Sequence, residues 1–99
     1  MVKYALLARV EAKAGKEDSV EQFLKSALPL AEDEKGTISW YALKIGPSTF
    51  GIFDTFNDEE GREAHLKGQI AAALMQHADE LLSTSPVIEK VELLAVKES

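Results

Sequence analysis

The chain has no cysteine, a single tryptophan and two histidines among its 99 residues. Without thiols it has no disulfide bond, no thiolate nucleophile and no cysteine-bound zinc or iron–sulfur cluster. No apolar run reaches the roughly 20 residues that a membrane-spanning helix needs. The first residues also lack the basic and apolar segments of a secretory signal. We therefore expect a cytoplasmic protein with no membrane partner.

Basic residues are scarce as well, since 11 lysines and arginines stand against 17 acidic residues and give a formal net charge of -6. Nucleic acids and anionic lipid surfaces bind basic protein surfaces, so we expect neither as a partner. The sequence has no glycine-rich phosphate loop, dinucleotide fingerprint or nucleophile elbow, so we expect no nucleotide cofactor. A composition of 45% hydrophobic and 28% charged residues is typical of one globular domain, here residues 1–99.

Hydrophobic periodicity predicts the element order β-α-β-β-α-β. The predicted strands cover residues 2–12, 37–45, 49–56 and 87–96, and the predicted helices cover residues 16–35, 58–66 and 69–82 with a break at Gly68. The turn residues 46–48 (Gly-Pro-Ser) predict a hairpin between the second and third strands. This order is that of the α+β, ferredoxin-like fold, with a four-stranded antiparallel sheet and its helices on one face.

Single residues predict details of the helices. Pro29 predicts a kink or the end of a first helical segment, because its ring removes the backbone hydrogen bond to Lys25. Asn57 and Glu60 predict a capping box at the start of the next helix. The acidic run at residues 32–34 predicts a solvated last turn.

The strands also predict an assembly. Several of them are apolar on both faces, although the helices cover only one face of the sheet. A bare apolar sheet face is larger than the apolar patches that monomers expose. We therefore expect a homodimer in which two sheets pack face to face.

Three short segments resemble the antibiotic biosynthesis monooxygenase family of the dimeric α+β barrel superfamily. They are residues 36–40 (Gly-Thr-Ile-Ser-Trp), residues 50–56 (Phe-Gly-Ile-Phe-Asp-Thr-Phe) and residues 64–66 (Ala-His-Leu). The similarity in element order and spacing covers nearly the whole chain. Asp54 stands where the family usually has glutamate, and Phe56 stands where it usually has tryptophan. The resemblance implies a dimeric barrel. Some members oxygenate polyphenols or quinols without a cofactor, and others degrade haem.

The two histidines are the first candidates for chemistry. His65 titrates near neutral pH and lies on a short helix over the sheet, so it is a candidate general base or hydrogen-bond donor. It has no carboxylate obviously dedicated to it, and the alternative is a structural histidine. His77 lies on an apolar helix stripe, either as a second polar contact for a ligand or as a packed residue. No third ligand has a recognisable spacing, so we expect no metal site.

Aromatic residues and one carboxylate on the strands complete the candidate pocket. Trp40, Phe53 and Phe56 are candidate walls, although alternation sends Phe53 and Phe56 to opposite faces and core packing is the alternative for each. Asp54 lies in an apolar strand, where a buried carboxylate needs a partner. Its partner could be Arg9 or Lys44 in a structural ion pair, or Asp54 could contact the substrate.

Three functions fit this pattern. The first is a cofactor-independent monooxygenase that oxidises a small aromatic polyphenol or quinol with dioxygen. The second is a non-catalytic dimeric barrel that binds a small ligand, and the third is a haem protein with His65 or His77 as axial ligand. The sequence leaves the substrate open, and it does not decide whether Asp54, Tyr41 and Phe56 face the pocket or the dimer interface.

Overall fold

The computed structural model describes residues 2–98. Its strands are β1 (Tyr4–Glu11), β2 (Thr37–Lys44), β3 (Thr49–Phe56) and β4 (Val87–Glu92), and its helices are α1 (Glu17–Ser26), α2 (Leu28–Glu32), α3 (Glu59–Leu66) and α4 (Gln69–Leu81). The strands form one antiparallel sheet in the order β2-β3-β1-β4. This confirms the predicted α+β, ferredoxin-like fold.

The helices pack on the sheet face that carries the even-numbered residues of β1 and β3. The register pairs Leu6 with Asp54 and Ala8 with Ile52 across these strands. Side chains of directly opposed residues lie on the same face of a sheet. On this face the strand residues form one buried core with Ala27, between α1 and α2, and with helix residues, which are Val20, Leu24, Ala31, Ile70, Leu74 and Leu81. The helices therefore cover Asp54 and its even-numbered neighbours.

The opposite sheet face carries the odd-numbered residues. The rings of Tyr41 and Phe53 stack there with their centroids 6.4 Å apart. Tyr41 is 55% exposed, and Ile45 and Val87 on the same face are also exposed. This face therefore presents apolar and aromatic side chains on its outer surface.

Two predicted elements end earlier than their patterns indicate. The sequence predicts helical residues 16–35 with a kink or the end of a first segment at Pro29. The structure has two helices, α1 and α2, separated at Ala27, with Pro29 in the first turn of α2, and α2 ends at Glu32. Proline fits there because first-turn N–H groups need no partner within the helix. The last strand ends at Glu92 rather than at residue 96 because its neighbour β1 begins at Tyr4, which pairs with Glu92.

The start of α3 also differs by one residue from the prediction. Asp58, and not Asn57, is the N-cap, and its side chain accepts a 2.8 Å hydrogen bond from the Gly61 N–H. A carboxylate at this position also interacts favourably with the positive end of the helix dipole, which an amide does not match.

No helix in residues 2–98 combines the length and the apolarity needed to cross a bilayer.

Candidate active site

His65 lies between two carboxylates. Its Nδ1 is 2.6 Å from Oε1 of Glu34, and its Nε2 is 2.9 Å from Oδ2 of Asp54. Asp54 is in β3, His65 is in the last turn of α3, and Glu34 is in the loop between α2 and β2. The fold thus gathers three segments into one charged cluster, which we call the Glu34–His65–Asp54 cluster.

Strand alternation directs Asp54 towards the helices. It occupies an even position of β3, and it pairs with Leu6 of β1 and Trp40 of β2. The residue is only 1% exposed. A carboxylate that is removed from water in this way is strongly destabilising unless a cation or donors compensate it. The imidazolium of His65 supplies that compensation.

Glu34 reaches His65 because the loop before β2 lies directly against α3. A Cβ atom on Gly36 would stand 2.9 Å from the Gly61 Cα, and one on Gly61 would stand 2.9 Å from the Gly36 carbonyl oxygen. Real Cβ atoms essentially never come this close to backbone atoms. A side chain at either position would therefore push the two segments apart. The pair of glycines therefore allows the backbone approach that brings Glu34 to the histidine.

The cluster holds His65 in its charged form. Burial lowers the pKa of His65, but the contacts with Asp54 and Glu34 together outweigh burial and raise the pKa from 6.5 to about 9. His65 is therefore an imidazolium at neutral pH, with both nitrogens protonated. Two carboxylates around one imidazolium leave one negative charge in excess.

The contact of His65 with Asp54 is an ion pair rather than a well-aligned hydrogen bond. Nε2 and Oδ2 are close enough for either interaction. Nevertheless, neither Asp54 oxygen has a hydrogen-bond partner of good geometry within residues 2–98. Both observations hold together, because charge attraction depends on distance while a hydrogen bond also depends on angle. Asp54 thus retains unused acceptor capacity.

An apolar cavity of about 130 Å³ lies beside the cluster, and both Asp54 and His65 line it. Most of the remaining wall is aliphatic and comes from Leu6, Ile52, Ile70, Leu74, Met75 and Ile88. A cavity of about 150 Å³ with a similar lining binds benzene in another protein. The space beside Asp54 therefore has about the size of one aromatic ring.

The structure brings together some of the residues predicted for the site. The Phe56 ring lies 5.5 Å from the His65 ring, centroid to centroid. Trp40 is the cross-strand neighbour of Asp54, and its buried indole Nε1 has no hydrogen-bond partner within residues 2–98. The Phe56 ring therefore packs on the cluster, and Trp40 is the β2 neighbour of Asp54, whereas the cavity wall itself is mainly aliphatic.

Two other predicted contacts lie elsewhere. Phe53 is on the opposite sheet face, stacked on Tyr41. His77 packs edge-on against Phe23 of α1, with ring centroids 5.7 Å apart, and lines a groove between α1 and α4. Neither residue is placed beside the Glu34–His65–Asp54 cluster.

No pattern in the sequence indicates the contact of Glu34 with His65. The predicted solvated turn at residues 32–34 is wrong for this residue, since its side chain is 21% exposed and contacts His65. Glycines at positions 36 and 61 are the only local sign of a close approach. The partners predicted for Asp54 are also wrong: Arg9 is an odd-numbered residue opposite Gly51, and Lys44 is close to Glu21.

The acidic and histidine side chains are the candidates for metal binding in this chain. No group of three or more histidine, aspartate or glutamate side chains in residues 2–98 is arranged to hold a metal.

The chain is similar to several proteins of solved structure. No family model and no curated protein matches the sequence. The chain is similar to the NE2512 protein of unknown function from Nitrosomonas europaea, with 64% identity over 100% of this chain and 96% of that chain and a TM-score of 0.97.

More distant structures share the fold. A candidate antibiotic biosynthesis monooxygenase from Nitrosomonas europaea has 12% identity and a TM-score of 0.81, with 93% of this chain and 90% of that chain covered. Another from Chloroflexus aurantiacus has 15% identity and a TM-score of 0.73, with 97% of both chains covered. These structures support the predicted resemblance at the level of the fold. The identity to NE2512 goes further, and this chain belongs to the same protein family as NE2512.

Proposed function

We propose that this protein is a cofactor-independent monooxygenase that oxidises a small one-ring quinol or polyphenol with dioxygen. The observation that carries the proposal is the buried Asp54–His65 ion pair in the wall of an otherwise aliphatic cavity of one-ring size. Small-molecule sites commonly combine an apolar wall with a few placed polar groups. The fold shared with two candidate antibiotic biosynthesis monooxygenases supports the same assignment.

The reaction requires no redox group from the protein. A quinol and dioxygen give a hydroxyquinone and water, so that one oxygen atom replaces a ring hydrogen and the other leaves as water. The substrate supplies all four electrons that dioxygen accepts. The protein has to take up a hydroxyl proton, hold the resulting anion and keep water away from it.

Of the two roles that the sequence indicates for His65, general base and hydrogen-bond donor, this proposal excludes the general base. Its pKa of about 9 keeps it protonated at neutral pH, so it cannot accept a proton there. As a cation in the cavity wall it stabilises the anion that forms on the substrate. Both of its nitrogens contact carboxylates, which also argues against a role as haem ligand.

Oxygen uptake tests the proposal directly. Protein treated with a chelator is mixed with hydroquinone, methylhydroquinone and catechol, and each trace is corrected for autoxidation. We expect enzyme-dependent uptake that falls at least about 100-fold in His65→Gln, the range usual for loss of a group that stabilises charge in a transition state. His77→Gln is the matched control and keeps the native rate. Saturable binding with no uptake would instead favour a ligand-binding protein.

We also propose that the protein is a homodimer joined through the odd-numbered sheet face. Tyr41, Ile45 and Val87 are exposed on this face, and Tyr41 stacks on Phe53. Burial of such side chains favours association. Light scattering after size exclusion should give twice the chain mass for the native protein and the chain mass for Tyr41→Glu. A native protein with the mass of one chain would contradict this assembly.

A further inference from the structure

The Glu34–His65–Asp54 cluster restricts which group can take a proton from a ligand. Nδ1 of His65 is 2.6 Å from Glu34 and Nε2 is 2.9 Å from Asp54. Both ring nitrogens are therefore engaged with carboxylates. An imidazolium has two donors and no lone pair for a further proton. The proton acceptor of the cavity must be a different group.

Asp54 has the properties of that acceptor. It lines the cavity, it is 1% exposed, and neither of its oxygens has a well-aligned hydrogen-bond donor within residues 2–98. Its cross-strand neighbours are Leu6 and Trp40, and neither of these side chains titrates in the accessible range. Among the side chains that line the cavity, Asp54 and His65 are the two that can carry charge. A hydroxyl group of a ligand would provide the missing donor.

We propose that Asp54 accepts the hydroxyl proton of a neutral one-ring phenol or quinol, that His65 stabilises the anion that forms, and that Glu34 is a positioning residue for His65. The inference rests on the proposed function and names its proton acceptor and its substrate class. In the step, the O–H bond of the ligand breaks and its proton bonds to an oxygen of Asp54. The electron pair stays on the ligand oxygen. The negative charge thereby moves from Asp54 to a phenolate that shares the cavity with the imidazolium.

The charge of the cluster also selects the ligand. Asp54 places a carboxylate in the cavity wall, and the single positive charge of His65 is already shared between Asp54 and Glu34, which lies behind the histidine. A second anion in this small apolar space would be repelled and only weakly screened. A ring that carries a carboxylate is therefore excluded, and a ring whose hydroxyls are methylated cannot donate to Asp54. The favoured ligand is uncharged and has a free hydroxyl.

Glu34 acts through the histidine rather than on the ligand. It is absent from the cavity lining, but its Oε1 contacts the His65 nitrogen that faces away from Asp54. Glu34→Gln removes the charge of Glu34. It therefore weakens the ion pair with the imidazolium without changing the shape of the cavity. Hydroquinone affinity should then change little, whereas the pH at which His65 loses its proton should fall. Glu34→Asp keeps the charge and should restore part of this effect.

Three ligands without dioxygen provide the first test. Hydroquinone, 1,4-dimethoxybenzene and 2,5-dihydroxybenzoate are titrated anaerobically into native protein, with the His65 ring signals followed by NMR. We expect saturable binding of hydroquinone with a shift of the His65 signals, and binding at least tenfold weaker for the other two. Equal affinity for hydroquinone and its dimethyl ether would overturn the proposal, and this comparison needs no variant that has to fold.

Asp54→Asn provides the second test, after its thermal unfolding has shown that the variant folds. Hydroquinone oxidation in this variant should fall at least about 100-fold. Native turnover in Asp54→Asn would overturn the assignment of Asp54 and leave the monooxygenase function in place. Hydroquinone binding that depends on its hydroxyl and on Asp54, without any oxygen uptake, would support the ligand contact and reject the monooxygenase function. The two proposals can thus fail separately.

Discussion

The Thr37 hydroxyl donates a 2.7 Å hydrogen bond to Oε1 of Glu34, which is the same oxygen that contacts His65. Thr37 is the first residue of β2. The hydrogen bond therefore ties a loop carboxylate to the sheet, and one oxygen atom receives donors from a strand and from a helix. The position of Glu34 depends on this link.

Thr37→Val should lower the pKa of His65 below its value of about 9. The substitution keeps the shape of the side chain but removes the donor that fixes Glu34, so the carboxylate spends less time beside the imidazole. An NMR titration of the His65 ring protons measures the effect. Thr37→Ser keeps the hydroxyl and should titrate like the native protein. An unchanged titration in Thr37→Val would show that Glu34 is held by other contacts.

Stability should decrease as the pH rises through the interval from 6.5 to 9. Folding raises the pKa of His65 from 6.5 to about 9. Below 6.5 both folded and unfolded states bind the proton, so the contribution is fully present, and above 9 it is lost. The difference corresponds to about 3 kcal/mol of unfolding free energy. Urea unfolding at several pH values measures it, and an equal decline in His65→Gln would rule out His65 as the cause.

His65→Gln should destabilise the fold at pH 7 by about 3–5 kcal/mol, because it leaves the buried Asp54 without its cation. Asp54→Asn removes the charge that needs compensation, so the double variant should recover much of the loss. Urea unfolding of both single variants and the double variant gives the coupling energy. Additive losses would mean that the 2.9 Å contact contributes little to stability.

Gly61→Ala should destabilise the protein by about 1–3 kcal/mol, the usual range for an overpacked site. The new Cβ would stand 2.9 Å from the Gly36 carbonyl oxygen, so α3 would have to move away from the loop that carries Glu34. Thermal unfolding measures the loss, and the His65 ring signals should shift with it. Gly46→Ala is the control, since its Cβ would meet nothing nearer than 4.0 Å.

The fold could be predicted from the sequence because strands and turns have recognisable local residue patterns. The eight residues of β3 follow from their aromatic and branched side chains, and the hairpin before β3 follows from Gly-Pro-Ser at residues 46–48. The end of β4 did not follow, because apolar residues continue to position 96 while the neighbouring strand begins at Tyr4. Where a strand stops depends on its partner as well as on its own residues.

The candidate site could be predicted from the sequence only in part. Asp54 and His65 could each be singled out, one as a carboxylate in an apolar strand and the other as a rare titratable side chain. Their contact was not predictable, because it depends on how α3 folds back over β3. Glu34 is 31 residues before His65, and no periodic pattern separates it from Glu32 and Asp33. The packing of the two glycine backbones and the hydrogen bond from Thr37 bring it to the histidine.

The three members of the Glu34–His65–Asp54 cluster belong to a single chain. Each copy in an assembly would therefore carry a complete set of these charges and its own cavity. Ligand stoichiometry should be one per chain whatever the number of copies, with hyperbolic saturation when the copies do not interact. In mixed assemblies of native and Asp54→Asn chains, the rate should fall in proportion to the fraction of native chains.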